Sequence, residues 1–488
     1  MKFRALLASV LLAHASLAIP QGLPDLGDVS STSLSEQQEK TIGDRVMRDV
    51  HADPDYIDDP EISDYINAIG SRLLAAAEGP HPAIDFFVVR DDTINAFALP
   101  GGHIGVHSAL VLLTDNESEL AGVLGHEIGH ILQHHQARML YGQRGVQFTS
   151  LAALALAILA SRGGNQGGQV TEAAVASAGA LQIQNQLDYT REHEREADRV
   201  GVTLVDRAGF APRAMVTFFQ KLLRANRLNE LKGAPAYLRT HPLTTERIAD
   251  MQDRVENMPS RLVADTFEYR IARAKLRVMM AGSPTEAVSL FQSMLADKTI
   301  VRPREQVYGL ALAQRRARDF EAAWKTLAPL RDGGHSHPAF ELLAGELQSD
   351  MGHPEEALAI YRAALQLHPE YRAIVYANLE VLQRMGRTQA LLADVDKRLR
   401  AMPTDARLYE LQARAYEAAG NLAAQHRSQA EAQYRRGNLA AAVDQLELAV
   451  KTKNGNFYDL SSAEARLREM RILLDNQRAA EKALKIDG

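Results

Sequence analysis

Through residues 35–77 apolar positions recur every three or four residues, and Ile66, Ile69, Leu73 and Leu74 form one stripe. That period predicts two helices, over 35–49 and 61–77, each with one face to bury. The period then shortens. Ile84 to Arg90 is short, β-branched and aromatic and predicts a strand, and Ile94 to His107 predicts two more around the turn Pro100-Gly101-Gly102. A helical pattern resumes after Asn116, where Glu119 three residues on makes a capping box. Further helices are expected over 190–208, stopped at Ala208-Gly209, from Pro212 to Asn226, and from the stretch Thr240 to Ile248 up to Pro259.

Beyond Asp265 the pattern is helical throughout and repeats. Gly352, Gly386 and Gly420 are spaced by 34, as are Pro369 and Pro403, and Ala323 returns as Ala357, ahead of Tyr361 and Ala364. This is the tetratricopeptide (TPR) period, in which each helical pair buries its face only against its neighbours and the stack forms a concave solenoid. Gly437 follows Gly420 by only 17, so the last helices pair out of phase.

Composition narrows the class. The 488 residues carry a net charge of −6 with no basic block, which argues against a nucleic-acid partner. Residues 1–18 read as a secretory signal peptide, with Lys2 and Arg4 before an apolar run and cleavage after Ala18; 19–34 reads as a poorly packed arm. The chain has no cysteine, so an exported form is held without disulfides and metal ligands must come from His and carboxylates. Leu151 to Ala160 is too short to span a bilayer. With the glycines that follow, it predicts a packed helical hairpin or a mobile cover, the latter with peripheral membrane contact.

The candidate chemistry is His126-Glu127-Ile128-Gly129-His130. On a helix His126 and His130 share a face one turn apart and can reach one metal ion, with Glu127 beside it as a general base. Gly125 and Gly129 cost about 1 kcal/mol each against Ala, so a close-approaching backbone or the substrate must offset them. A catalytic zinc takes three protein ligands. The buried stripe Ala197, Gly201, Leu204 and Val205 continues through Glu194 and Asp198, whereas Glu192, Glu196, Arg199 and Thr203 lie on the wetter side. Glu194 is therefore the expected third ligand of a single zinc, and Asp198 the acceptor that fixes a ligand imidazole. His241, before Pro242, is expected either to donate to the tetrahedral oxyanion or to occupy the fourth zinc position in a resting state. His134, His135 and His193 are expected to be structural. The strand His103 to His107, including Gly105, is expected to offer a free edge to an extended peptide, with Asn95 and Ala96 near the cleft.

The stretch Asn95 to Gly102 (NAFALPGG), the His126–His130 motif, Glu194 to Asp198 (EREAD) and His241-Pro242 resemble the membrane-associated zinc metallopeptidase family that includes HtpX and the CAAX prenyl proteases. The expected fold is mostly α: a zincin-like α+β metallopeptidase domain with a small sheet over 35–259, then an α-helical TPR solenoid over 265–488. Taken with the order signal peptide, peptidase, TPR array, the resemblance implies zinc-dependent proteolysis in the periplasm. It also implies chaperone-like handling of unfolded or misassembled outer-membrane β-barrel proteins, docking of the TPR part on their assembly machinery, and a cover over the active site from Arg144 to Leu187.

Overall fold

The computed structural model describes residues 36–135, 191–228, 235–297, 304–332, 336–452 and 455–486. The signal peptide expected over 1–18, the arm over 19–34 and the cover over 144–187 lie outside the described residues.

Two helices, α1 (Glu36–Ala52) and α2 (Pro60–Leu74), precede a three-stranded sheet of β1 (Asp85–Val89), β2 (Ala96–Leu99) and β3 (His103–His107). The order is β1-β3-β2, with β1 parallel and β2 antiparallel to β3. The β2–β3 turn needs Gly101 and Gly102, at φ 79° and 83°, a region closed to most side chains. Both faces of the sheet are buried. Phe87, Val89, Phe97 and Leu99 pack on Ile42, Val46 and Val50 of α1. Phe86, Val88, Ile104 and Val106 join the main core with α2.

That core is built around α4 (Glu117–Leu132), which follows the short α3 (Ser108–Leu113) and is buried from Glu117 to His130. Around it lie α5 (Arg191–Arg207), α6 (Arg213–Leu228), α7 (Ala236–Thr240) and α8 (Thr245–Glu256).

The helical repeats follow as α9 (Phe267–Met280), α10 (Pro284–Ala296), α11 (Arg304–Arg316), α12 (Phe320–Arg331), α13 (Pro338–Asp350), α14 (Pro354–Leu367), α15 (Arg372–Arg384), α16 (Thr388–Ala401), α17 (Ala406–Ala418), α18 (Leu422–Arg435), α19 (Leu439–Lys451) and α20 (Phe457–Ile486). Gly352, Gly386, Gly420 and Gly437 each take a positive φ just past a helix end. Each sits in a Schellman turn: after α17, for example, Gly420 N–H donates to Glu417 O and Asn421 N–H to Tyr416 O, both at 2.9 Å. The same turn closes α11, where Arg318 takes the left-handed position at φ 62° and the adjacent amides bond Arg315 O and Gln314 O. Because Gly437 repeats the turn directly after α18, helices α17, α18 and α19 are joined by two tight turns in succession. That is the phase break expected from the 17-residue spacing.

Among the described residues several contacts tie the repeats to the preceding unit. Glu117 at the start of α4 accepts from Thr266 N and Oγ1 at 3.0 and 2.6 Å, while Asp265 accepts from Glu117 N at 2.8 Å. Lys275 of α9 reaches Asp59 and Glu61 at the start of α2, both at 2.5 Å, and Tyr371 donates to the same Glu61. At the far end Arg48 of α1 donates to Gly437 O at 3.1 Å. Lys275 and Glu61 are buried, and removing one partner of a buried ion group leaves uncompensated charge. Lys275→Ala is expected to destabilise the chain by about 3–5 kcal/mol in denaturant unfolding; a loss below about 1 kcal/mol would show that this cluster does not hold the two parts together.

Candidate metal centre

Helix α4 begins at Asn116, whose side chain accepts from Glu119 N at 3.0 Å. Glu119 closes the box one residue earlier than expected, on Asp115 N at 2.8 Å. The glycines of α4 then meet α5. A Cβ on Gly125 would stand 3.1 Å from Gly201 O, one on Gly129 2.9 Å from Ala197 O, and one on Gly201 2.9 Å from His126 N. It is the backbone of α5, not a substrate, that comes close. The crossing brings Glu194 and Asp198 opposite His126 and His130, and all four are essentially fully buried.

His126, His130, Glu194 and His241 each turn one donor atom inward, and these atoms lie within 4.8 Å of one another. His126 Nε2 stands 3.0 Å from His130 Nε2, 3.3 Å from His241 Nδ1 and 3.5 Å from Glu194 Oε2. Glu194 Oε1 stands 3.4 Å from His130 Nε2 and 3.2 Å from His241 Nδ1. Tetrahedral coordination with bonds of about 2.0–2.1 Å requires donor separations of roughly 3.3–3.4 Å. The residues present therefore fit a divalent metal ion of that size.

The charges agree. Glu127, Glu194 and Asp198 are three buried carboxylates, and Arg247 is the one guanidinium among them, which leaves an excess of two negative charges with neutral imidazoles. Arg247, from α8, holds Asp198 with two bonds of 2.8 Å, reaches Glu194 Oε2 at 2.7 Å and donates to Pro242 O at 2.8 Å. Asp198 Oδ1 faces His126 Nδ1 at 2.9 Å. Burial alone would lower the pKa of His126, but Asp198 and Glu194 hold it at about 9. Burial would raise Glu194; His241 and His126 instead hold it well below the carboxylate range. Asp198 is likewise lowered, against the effect of burial, by His126 and Arg247.

Glu127 is different. It is fully buried, neither oxygen makes a well-formed hydrogen bond, and His241 Nε2 is 3.5 Å away. Burial pushes its carboxyl up, opposed by His241 and His126. Held only by the Ala98 backbone and the long approach of His241, this carboxylate is weakly compensated for its burial. His241 caps α7, its N–H donating to Tyr237 O at 2.8 Å, and its ring stacks on Tyr237 at 4.7 Å.

The expected peptide edge is corrected. Strand β3 is central, with both sides bonded to β1 and β2, so His103 to His107 offers no free edge. Gly105 is small because the rings of Phe97 and Phe87 lie across it, where a Cβ would stand 2.4 and 2.8 Å away. His103 turns towards Asp85 at 3.8 Å and lines a cavity of about 800 Å³ with α1 and the last repeats. Neither residue meets the donors. Asn95 is buried, its Oδ1 has no partner, and the adjacent Ile94 O accepts from Tyr237 N at 3.0 Å, tying this loop to the α7 segment. Among the other histidines, His134 is exposed, whereas His135 is buried against His130 and stacks with His193.

Arg247 and Tyr237 were not singled out by sequence. A signal for Arg247 exists: it shares a helical stripe with Met251 and Val255, both buried, so a charge stands where an apolar residue is due. Tyr237, buried and with its hydroxyl unpartnered, carries no such mark.

Fold and site together define a protein with a buried metal centre carried on a crossed helix pair. The model of peptidase family M48 matches residues 60–255. The beta-barrel assembly-enhancing protease of Yersinia pestis is 30% identical over 466 residues, covering 94% of each chain. That of Escherichia coli K12 is 36% identical over 309 residues, covering 63% of this chain and 62% of its own length, a little under two thirds. A solved tetratricopeptide repeat protein from Parabacteroides merdae is 17% identical and covers 45% of this chain and 93% of its own at a TM-score of 0.28. The chain belongs to peptidase family M48. Among the described residues no helix is long and apolar enough to cross a membrane.

The α4–α5 crossing can be tested directly. Gly129→Val recovers only a few tenths of a kcal/mol of helix propensity but places a branched side chain against the Ala197 backbone. It is expected to cost about 1–3 kcal/mol of stability and to weaken metal binding measured by chelator competition. Wild-type values for both would refute the crossing as the determinant of the site.

Proposed function

We propose that the chain is a periplasmic zinc endopeptidase that cleaves stalled or misfolded outer-membrane β-barrel proteins and gives others chaperone-like assistance. The observation that carries this reading is the buried cage of His126, His130, Glu194 and His241, whose donor atoms lie within 4.8 Å of one another, beside the buried and weakly bonded Glu127. The names of the Yersinia pestis and Escherichia coli relatives support the substrate class.

In this reading His126, His130 and Glu194 hold zinc, and Asp198, itself clamped by Arg247, orients His126. When bound, zinc acidifies the attacking water and polarises the scissile carbonyl. Glu127 takes the water proton and delivers it to the leaving amine. An extended substrate pairs with β2, the edge strand next to β3, rather than with β3 itself. The solenoid supplies a docking surface for the outer-membrane assembly machinery.

A second reading has its own support. His241 Nδ1 lies 3.3 Å from His126 Nε2 and 3.2 Å from Glu194, within the donor shell itself. That favours a fourth ligand that latches the site, so that the chain serves mainly as a TPR scaffold and cuts only when the α7–α8 loop moves.

Glu127→Gln is expected to keep stoichiometric zinc while kcat on an unfolded barrel protein falls by about 10²–10⁴-fold; unchanged cleavage sinks the mechanism. If that variant restores outer-membrane integrity to a deletion strain as fully as wild type, the scaffold reading prevails. His241→Ala is expected to raise self-cleavage and substrate cleavage with zinc retained, and a variant no faster than wild type counts against the latch.

A further inference from the structure

We infer that His135 and Glu196 are positioning residues that fix the tautomer and orientation of His130 through a chain of two hydrogen bonds. The inference rests on the reading of His130 as a metal ligand and extends it to residues that carry no motif.

The geometry is continuous. His130 Nδ1 lies 2.9 Å from His135 Nδ1, and His135 Nε2 lies 2.9 Å from Glu196 Oε2. His135 is fully buried, and the ring of His193 stacks on it at 4.4 Å with 21° between planes. The proton positions follow from the metal. His130 Nε2 points into the cage and must offer a lone pair, so its hydrogen is on Nδ1 and is donated to His135 Nδ1. A neutral His135 then carries its own hydrogen on Nε2 and donates it to Glu196. The carboxylate at the end of the chain stabilises this tautomer pair over the reverse one.

The backbone is shaped for the contact. Helix α4 stops at Leu132, and His134 adopts the left-handed conformation at φ 51°, a placement uncommon outside glycine but tolerated by His. That reversal turns the chain so that His135 reaches back one turn to His130. His126 has a carboxylate, Asp198, directly on its Nδ1. One turn further along α4, the facing residue of α5 is Glu194, which is committed to the cage, and the next available carboxylate is on the wetter face. His135 spans that gap. Each of the two imidazoles of α4 thus has a carboxylate behind it, one directly and one through a second imidazole.

The test uses the full chain. His135→Phe keeps the ring and its stack on His193 but removes both nitrogens. His135→Asn keeps an acceptor near the position of Nδ1. Zinc affinity is read by chelator competition, and ligand geometry by the visible spectrum of the cobalt(II)-substituted protein. His135→Phe is expected to weaken zinc by about 10–100-fold and shift the cobalt bands, with His135→Asn recovering most of the affinity. Glu196 is 39% exposed, so Glu196→Ala leaves the core intact and is expected to weaken zinc several-fold even if His135→Phe folds poorly. Wild-type affinity and cobalt spectrum in both His135→Phe and Glu196→Ala would overturn the relay. A wild-type chain that binds no zinc would overturn the metal reading itself, a result distinct from failure of the relay.

Discussion

Helices α4 and α5 lie so close that a Cβ at Gly129 or Gly201 would collide with the facing backbone and one at Gly125 would be crowded. The glycines at these positions cost helix propensity, and the contact recovers it only when both helices are in place. The crossing is what sets the reach of the site. Imidazoles projecting from α4 and carboxylates projecting from α5 are short, and they share donor separations near 3.4 Å because their parent backbones are in contact. A crossing at an ordinary 8–10 Å between axes with larger side chains in the seam would leave the same residues too far apart.

Around that seam the protein places charge where it is least welcome. Three carboxylates and a guanidinium sit with the buried imidazoles in a largely apolar core, and they are tolerated because they are bonded, Glu127 most weakly. Arg247 is central, since it neutralises Asp198 and touches Glu194 while its ring-facing side lies over Phe219 at 5.6 Å. Glu127 is held least. Its bonding is limited to the Ala98 backbone and the 3.5 Å approach of His241, a local cost that the rest of the core supports.

Much of this was legible in the chain. The i,i+4 spacing of His126 and His130, the buried stripe that selects Glu194 over Glu192, and the 34-residue spacing of glycines are all periodic signals, and periodicity is what a sequence displays best. Strand order is not periodic. Nothing in the alternation of residues 103–107 distinguishes a central strand from an edge, and the placement of β3 between β1 and β2 emerges only from packing on α1 and α2. Gly105 was legible as a glycine but not as the gap under Phe87 and Phe97. Arg318 shows the converse: the repeat turn extends one period earlier than the glycines, because hydrogen bonding alone holds an arginine in the left-handed position. His135, read from sequence as structural, is turned back onto His130 by the φ of the residue before it, which no sequence pattern displays.

The donors of the cage come from three separate helical segments, and His126 and His241 stand 115 residues apart in the chain. No contiguous fragment therefore owns the site. A nascent chain that has produced α4 holds two imidazoles and a base but neither the carboxylate of α5 nor the histidine after α7, and two imidazoles make a poor cage. Competence to bind metal tightly thus arrives with tertiary structure rather than with synthesis. Tight metal binding, and any chemistry that depends on it, is thereby withheld from the unfolded stages of the chain.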